Sequence, residues 1–310
     1  MSAHWTEGDI PDQTGRTILI TGANSGIGLE AARAAAEHGG RVVLGCRNHT
    51  KAEAAVATIR ETAPDAPLEI LDLDLADLVS VETAAEKFLA NHDRLDVLVN
   101  NAGLMALPKQ NTVQGFEMQF GVNHLAHFAL TGRLLERLLA TPGSRVVSIS
   151  SMGHRPGSIH FDDLQSEHKY GPWTAYFQSK LANLLFTYEL QRKLAAAGAA
   201  TIAVAAHPGG SSTNLGHENP GGIINTIAMK SKPLVDMAMQ SAAMGALPTL
   251  RAATDLAVTG GEYYGPGGVL EQRGYPKRVQ SSRRSQDVEV AQRLWRVSTE
   301  LTGVTYAGLV

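Results

Sequence analysis

The chain has 310 residues, 44% apolar and 18% charged, with a formal net charge of −3. That length and apolar share fit one large α/β domain with a sizeable core. The absence of any basic run gives no electrostatic reason to expect nucleic acid or an anionic membrane as partner. The single cysteine, Cys46, excludes an internal disulfide and a cysteine zinc cluster and suits a reducing cytosol.

The opening stretch MSAHWTEGDIPDQTGR is polar and acidic. It reads as neither a signal peptide nor a membrane anchor, and residues 1–13 are expected to form a tail. No later window offers the ~20 apolar residues a spanning helix needs, so a soluble, cytoplasmic protein is expected. Six short runs, TILITG (17–22), RVVLGC (41–46), LEILDLDL (68–75), LDVLVNNAG (95–103), SRVVSISS (144–151) and TIAVAAHPG (201–209), are nearly continuous in apolar character. That is the pattern of strands buried on both faces. Helical patterns such as GIGLEAARAAAEHG and KAEAAVATIRETA separate them. The alternation predicts a doubly wound α/β fold, a mostly parallel sheet with helices on both faces. A seventh strand is expected near GEYYGP (261–266) and a closing helix over DVEVAQRLWRVSTELTG (287–303). HPGGSSTNLGHENPGG (207–222) is the one long run of breakers. Residues 210–240 are therefore expected to form a lid over the strand ends, with 267–310 a C-terminal extension of the same single domain.

TGANSGIG (21–28) follows the first strand and opens the first helix. Gly22, Gly26 and Gly28 suit a tight turn, close backbone approach to a pyrophosphate, and a helix N-terminus facing the anion. The turn residues Gly22, Asn24, Ser25, Gly26, Ile27 and Gly28 are therefore expected to bind a dinucleotide. At the end of the second strand, where a carboxylate would take the ribose 2′-hydroxyl of NAD, the chain has Cys46 and then Arg47. A guanidinium can bond a 2′-phosphate bidentately, so NADP(H) is expected over NAD(H).

TGANSGIG, NNAG (100–103), VNHLAHF (122–128), SISS (148–151), YFQSK (176–180) and HPG (207–209) stand in the order found in short-chain dehydrogenases/reductases. FEMQFGVNHLAHFALT, IHFDDL and YFQSKLANLLF resemble the subgroup containing retinol dehydrogenases and the WW-domain oxidoreductase. The resemblance covers roughly residues 14 to 305 and implies a seven-stranded Rossmann fold. It also implies a carbonyl/alcohol oxidoreductase, with Tyr176 as general acid or base and Lys180 holding the nicotinamide ribose. Tyr176 and Lys180 share one helix face a turn apart. A free phenol has a pKa near ~10, and the ammonium plus an oxidised nicotinamide are expected to lower it by about three units.

By the same resemblance Ser151, the second serine of its pair, bonds the substrate oxygen, and Asn123 holds a water in a relay to the lysine. Asp74 and Leu75 flank the adenine, and Asn101, Ala102 and Gly103 line the cofactor crevice. Pro208, Gly209 and Thr213 contact the nicotinamide carboxamide. The gap of 25 residues from Ser151 to Tyr176 resembles the insertion of the retinol-dehydrogenase-like subgroup. His154, His160, His207 and His217 lack metal-ligand spacing and are assigned surface or packing roles. Asp162 and Asp163, being adjacent, would point apart. Cys46 is read as a small apolar filler, and Trp173 and Phe177 as packing or substrate contacts.

The expected activity is NADP(H)-dependent hydride transfer between a carbonyl and an alcohol, without a metal, on a small and apolar substrate. A homodimer or homotetramer is common in the family. Two other readings stand beside this one. A sugar-nucleotide epimerase would show G-x-x-G-x-x-G and a larger substrate domain. A non-catalytic NADP(H) sensor or scaffold would typically have lost the tyrosine or the lysine.

Overall fold

Thr17–Thr21 forms β1, every side chain buried, and its neighbours alternate between two cores. The computed structural model describes residues 4–210 and 240–309. Helix α1 (Gly26–Glu37), β2 (Arg41–Cys46), α2 (His49–Thr62), β3 (Leu68–Asp72), α3 (Leu78–Asn91) and β4 (Val97–Asn100) follow β1. A helical turn at Met118–Phe120 and a π-helical turn at Gly121–Leu125 lead into α4 (Ala126–Arg133), and α5 (Leu135–Ala140) follows. Then come β5 (Arg145–Ile149), α6 (Pro172–Ala196), β6 (Ile202–Ala206), α7 (Ala242–Thr254), β7 (Tyr263–Pro266), β8 (Pro276–Arg278) and α8 (Val288–Thr302).

The strands lie in one sheet of order β3-β2-β1-β4-β5-β6-β7-β8. All pairings are parallel except β7 with β8. The expectation of seven strands is thus one short: Pro276–Arg278 adds an antiparallel edge, with Tyr264 opposite Arg278 and Pro266 opposite Pro276. Its three residues carry no apolar run, and its leading proline suits an edge position.

Side chains of a strand alternate between faces. Ile18 and Ile20 join Val42, Leu44 and Val204 in the core under α1, α2 and α7, where Ala31, Ala35, Ala52 and Leu250 are buried. Leu19, Val43, Leu98 and Val146 face the other way, onto Val81 and Phe88 of α3, Phe128 of α4 and Phe186 of α6. Each fully buried leucine or phenylalanine contributes about 1.5–3 kcal/mol of transfer free energy. A one-residue slip of a central strand would send each of these side chains into the opposite core, where the facing helices are shaped for others.

The chain crosses from one side of β1 to the other between β3 and β4. This is the switch point, where an open α/β sheet leaves a crevice beyond the strand ends. Thr21 and Asn100 end the two strands that flank it. Among the described residues no helix is long and apolar enough to cross a membrane.

Candidate active site

At the end of β1 the backbone turns sharply through Gly22 (φ +67°) and Gly26 (φ +55°), both left-handed. A Cβ on Gly28 would stand 2.4 Å from the Gly22 carbonyl oxygen and 2.5 Å from Asn101 Nδ2, so only glycine lets α1 close on the turn. Ser25 precedes the helix in extended conformation and its side chain makes no capping bond. The first-turn N–H groups of α1 therefore remain available to an anion. Gly22, Asn24 and Gly26 are half-buried and Ser25 exposed, whereas the Ile27 side chain is in the core. Ile27 can therefore offer a ligand only its backbone. The cradle fits a dinucleotide pyrophosphate.

Beyond β2, Arg47 is 67% exposed, its Nη1 4.0 Å from Asp74 Oδ1. Asp74 also accepts from the Ala76 N–H at 2.9 Å, and its own N–H donates to Ser80 Oγ. That fixes the turn after β3 while Leu75 packs inward. Cys46 is buried, and burial pushes its thiol up to about 11, which suits packing and not nucleophilic chemistry.

Two neighbouring serines end up with different tasks. The Ser150 hydroxyl donates to the Lys180 carbonyl at 2.8 Å and is buried. Ser151 caps a short turn at Met152–His154, accepting from the Gly153 N–H at 3.1 Å, and stays half-buried beside the Tyr176 phenol. Tyr176 and Lys180 lie on α6, whose first residue is Pro172, preset for a helix start. They are 7% and 5% exposed. The Lys180 ammonium lies 5.8 Å from the centre of the Tyr176 ring and donates to the Ile149 carbonyl at the end of β5 at 3.3 Å.

Burial disfavours the charged form of both groups. It holds Lys180 down at about 8 and the phenol above its ordinary value, with the Ser151 hydroxyl pulling only partly back. The lowering expected from the sequence counted the charge of an oxidised nicotinamide beside the ammonium; the ammonium alone does not produce it. The protein's own groups do not depress Tyr176, so a phenolate here needs further positive charge.

Asn123 sits in the π-helical turn, a distortion that recurs at functional sites. Its carboxamide accepts from the Leu104 N–H at 2.7 Å and donates to the Leu104 carbonyl and Ser179 Oγ, both at 2.9 Å. A Cβ on Gly103 would lie 3.2 Å from Lys180 Nζ and 3.3 Å from Asn123 Oδ1, so these two groups converge across that glycine. Asn101 donates its side-chain amide to the Thr21 carbonyl at 2.8 Å, and Ala102 completes the turn beside it. Gly209 is left-handed (φ +67°) after Pro208, and a Cβ there would strike the Gln272 carbonyl. Thr213, His217 and nearly all of the expected lid lie outside the described residues.

Of the histidines assigned surface or packing roles, His207 is fully buried, and its Nε2 is 3.0 Å from Glu271 Oε2, a partner the sequence does not report. Glu271 also meets Arg155 at 3.2 Å. His154 is buried as well, Nδ1 bonded to the Ser151 carbonyl and Nε2 accepting from the Ser282 N–H. His160 and Asp162 are exposed, and Asp163 caps the backbone of Glu167. A recess of about 480 Å³ lined by Tyr188, Glu262, Arg278 and Ser281 lies at the β7–β8 edge and contains none of the groups above.

The strand-to-helix glycine turn and the side chains of Ser151, Tyr176, Lys180 and Asn123 are thus gathered around the switch point of the sheet. The chain belongs to the short chain dehydrogenase family, whose sequence model matches residues 16–224, and within it to the retinol dehydrogenase-like subgroup. It is 40% identical over 295 residues to retinol dehydrogenase 13 of Homo sapiens, covering 94% of this chain and 85% of that one. It is 39% identical over 300 residues to retinol dehydrogenase 12 of Mus musculus, covering 94% and 88%. An uncharacterised protein from Mycobacterium paratuberculosis superposes with a TM-score of 0.81 at 43% identity, over 98% of this chain and 99% of that one. A short chain dehydrogenase from Shigella flexneri solved with NADP gives a TM-score of 0.61 at 25% identity, over 81% and 97%. The protein is an oxidoreductase acting on CH–OH donors, with a small-molecule substrate and an NAD(P) cofactor.

Proposed function

We propose that the protein is an NADP(H)-dependent reductase of apolar aldehydes or ketones, working in one domain, with Tyr176 as the proton donor. The convergence of Ser151, Tyr176 and Lys180 at the end of β5 carries this reading. The nicotinamide, when bound, supplies the hydride. The glycine turn and the start of α1 hold the pyrophosphate. Arg47 takes the 2′-phosphate, Asp74 and Leu75 flank the adenine, and Asn101 to Gly103 line the crevice. Pro208, Gly209 and Thr213 meet the carboxamide.

Lys180 grips the ribose hydroxyls, and with a pKa of about 8 it carries its charge at neutral pH. The Tyr176 phenol, held protonated by burial, gives its proton to the carbonyl oxygen as negative charge builds there. Ser151 donates a second hydrogen bond to that oxygen, where a donor fixed in advance lowers the barrier most. Asn123 fixes the turn through which the proton on Tyr176 is replaced.

Trp173, 42% exposed, stands edge-on to Tyr176 and 5.8 Å from Phe177, an aromatic wall suited to an apolar substrate. Two of the similar proteins are named for retinol, which supports the same class, and the Shigella structure with NADP supports the phosphorylated cofactor.

The test is titration of the protein with NADPH and NADH, then turnover on a panel of apolar aldehydes and ketones alongside Tyr176→Phe. Tighter NADPH binding, unchanged in the variant, with turnover down by about 10²–10⁴-fold is expected. Equal turnover by wild type and variant would overturn the assignment.

A further inference from the structure

The hydroxyl of Thr21, the last residue of β1, is a meeting point. The backbone N–H groups of Asn101 and Ala102 each lie 2.9 Å from its Oγ1 and can only donate. A threonine hydroxyl has two lone pairs and one proton; the Ala102 N–H takes one lone pair and the Asn101 N–H, shared with the Val99 carbonyl at 3.0 Å, lies on the other, which leaves the proton to be placed. Val99's carbonyl is 3.4 Å away, whereas His127 Nε2, on α4, is at 2.9 Å. On the other edge of that imidazole, Nδ1 is 3.1 Å from the Asn123 carbonyl oxygen, which can only accept.

The tautomer follows from these partners. Nδ1 carries the hydrogen and donates to Asn123, and Nε2 accepts the proton of Thr21. Every polar group in the chain from Asn101 and Ala102 through Thr21 and His127 to the Asn123 carbonyl is then satisfied, in one direction only. Thr21 is fully buried and His127 is 3% exposed. Burial, helped by the nearby Lys180 charge, keeps the ring neutral, with its pKa down at about 4. Protonation would put an N–H against a hydroxyl that already accepts from the Ala102 and Asn101 N–H groups.

We infer that His127 is a positioning residue that ties the dinucleotide-binding turn to the proton-handling side of the site. Its Thr21 arm holds the residue before Gly22 and, through the same hydroxyl, the Asn101–Ala102 turn. Its Asn123 arm holds the π-helical turn, whose carboxamide reaches Leu104 and Ser179, the neighbour of Lys180. Both arms end on protein groups, so His127 acts only through the groups it holds. The inference rests on the reading of the site as a dinucleotide-dependent oxidoreductase.

The two ring nitrogens can be removed separately. His127→Asn keeps an amide N–H near the Nδ1 position and cuts the Thr21 arm. His127→Gln places an amide oxygen near Nε2 and cuts the Asn123 arm. The expected result is a split. His127→Asn weakens NADPH binding about tenfold, as losing a partner to a buried hydroxyl would, while His127→Gln binds near wild type but loses kcat with KM unchanged.

Thermal melts of both variants give the control. Equal falls in Tm with wild-type Kd and kcat per folded molecule would overturn the inference in favour of a packing role. A wild-type protein that binds neither NADPH nor NADH would instead overturn the reading beneath it. If either variant does not fold, ¹⁵N-histidine NMR of the wild-type protein decides. A buried ring in the Nδ1–H form that stays neutral at pH 5 is expected for His127, and an Nε2–H form overturns the inference.

Discussion

His207 Nε2 stands 3.0 Å from Glu271 Oε2, joining the turn after β6 to the hairpin between β7 and β8. The other ring nitrogen, Nδ1, accepts from the Gly209 N–H at 3.2 Å, which fixes the hydrogen on Nε2 and makes Glu271 its acceptor. Arg155, four residues after Ser151, donates to the second carboxylate oxygen. The bond from His207 holds the Glu271 carboxyl below its usual range, with the Arg155 charge adding to it. Leu270 and Glu271 are both left-handed (φ 51° and 57°), a conformation that costs a non-glycine residue about 1–2 kcal/mol. The clasp holds that strained tip in place.

Glu271→Ala leaves the buried Nε2–H of His207 without an acceptor, a loss of about 1–3 kcal/mol. It is expected to lower Tm and to weaken NADPH binding through Gly209. Glu271→Gln keeps an acceptor oxygen and should recover most of both. Melts with and without NADPH measure this. An alanine variant as stable and as tightly binding as wild type would show the clasp to be idle.

The two serines of SISS should separate cleanly. Ser150→Ala breaks a buried bond to the Lys180 carbonyl and is expected to cost about 1 kcal/mol of stability with turnover largely kept. Ser151→Ala removes the hydroxyl beside the phenol and is expected to cut kcat by about 10²-fold or more with Tm nearly unchanged. Urea unfolding and steady-state kinetics on both variants test the pair, and the opposite pattern would transfer the catalytic assignment to Ser150.

What could be read from the sequence follows from how local each feature is. The strands at 17–21, 41–46 and 202–206 showed as apolar runs because burial on both faces leaves no polar alternation to confuse them. Strand ends were less legible. The stretch 95–103 reads as continuous, yet the ladder stops at Asn100, where NNAG leaves the sheet to form the turn held by Thr21. The edge strand Pro276–Arg278 has no apolar signature at all. The glycine turn and the Tyr–Lys spacing are local patterns. The pairings of Thr21 with His127 and of His207 with Glu271 join residues 106 and 64 positions apart, and no periodicity reports a partner at that distance. The phenol's direction of shift depends on burial, which the spacing of Tyr176 and Lys180 does not encode.

Arg47 is the residue on which the cofactor preference is expected to turn. Being 67% exposed and only 4.0 Å from its nearest carboxylate, it contributes little to the fold. Arg47→Ala should therefore leave Tm unchanged and weaken NADPH by about ten- to a hundredfold, the value of hydrogen bonds to a charged group. NADH binding should not move. Equal losses for both nucleotides would remove Arg47 from the 2′-phosphate site.

Acid is expected to destabilise the fold. Burial lowers His124 to about 3 and His127 and His154 each to about 4, while an unfolded histidine titrates near ~6.5. Below that value the unfolded chain takes up protons that the folded chain refuses. Stability therefore falls as pH falls from about 6.5 toward 4 and is fully present above that window. Each ring contributes up to about 1.4 kcal/mol per pH unit, so the three together remove about 6 kcal/mol between pH 6.5 and 5, the whole stability of a domain at the low end of the ordinary range. Urea-unfolding free energies measured every half pH unit should show a slope approaching three protons in that range. His154→Gln should reduce it by about one proton, because the amide cannot be protonated there. A slope below one proton would mean that the rings open to water before the fold does.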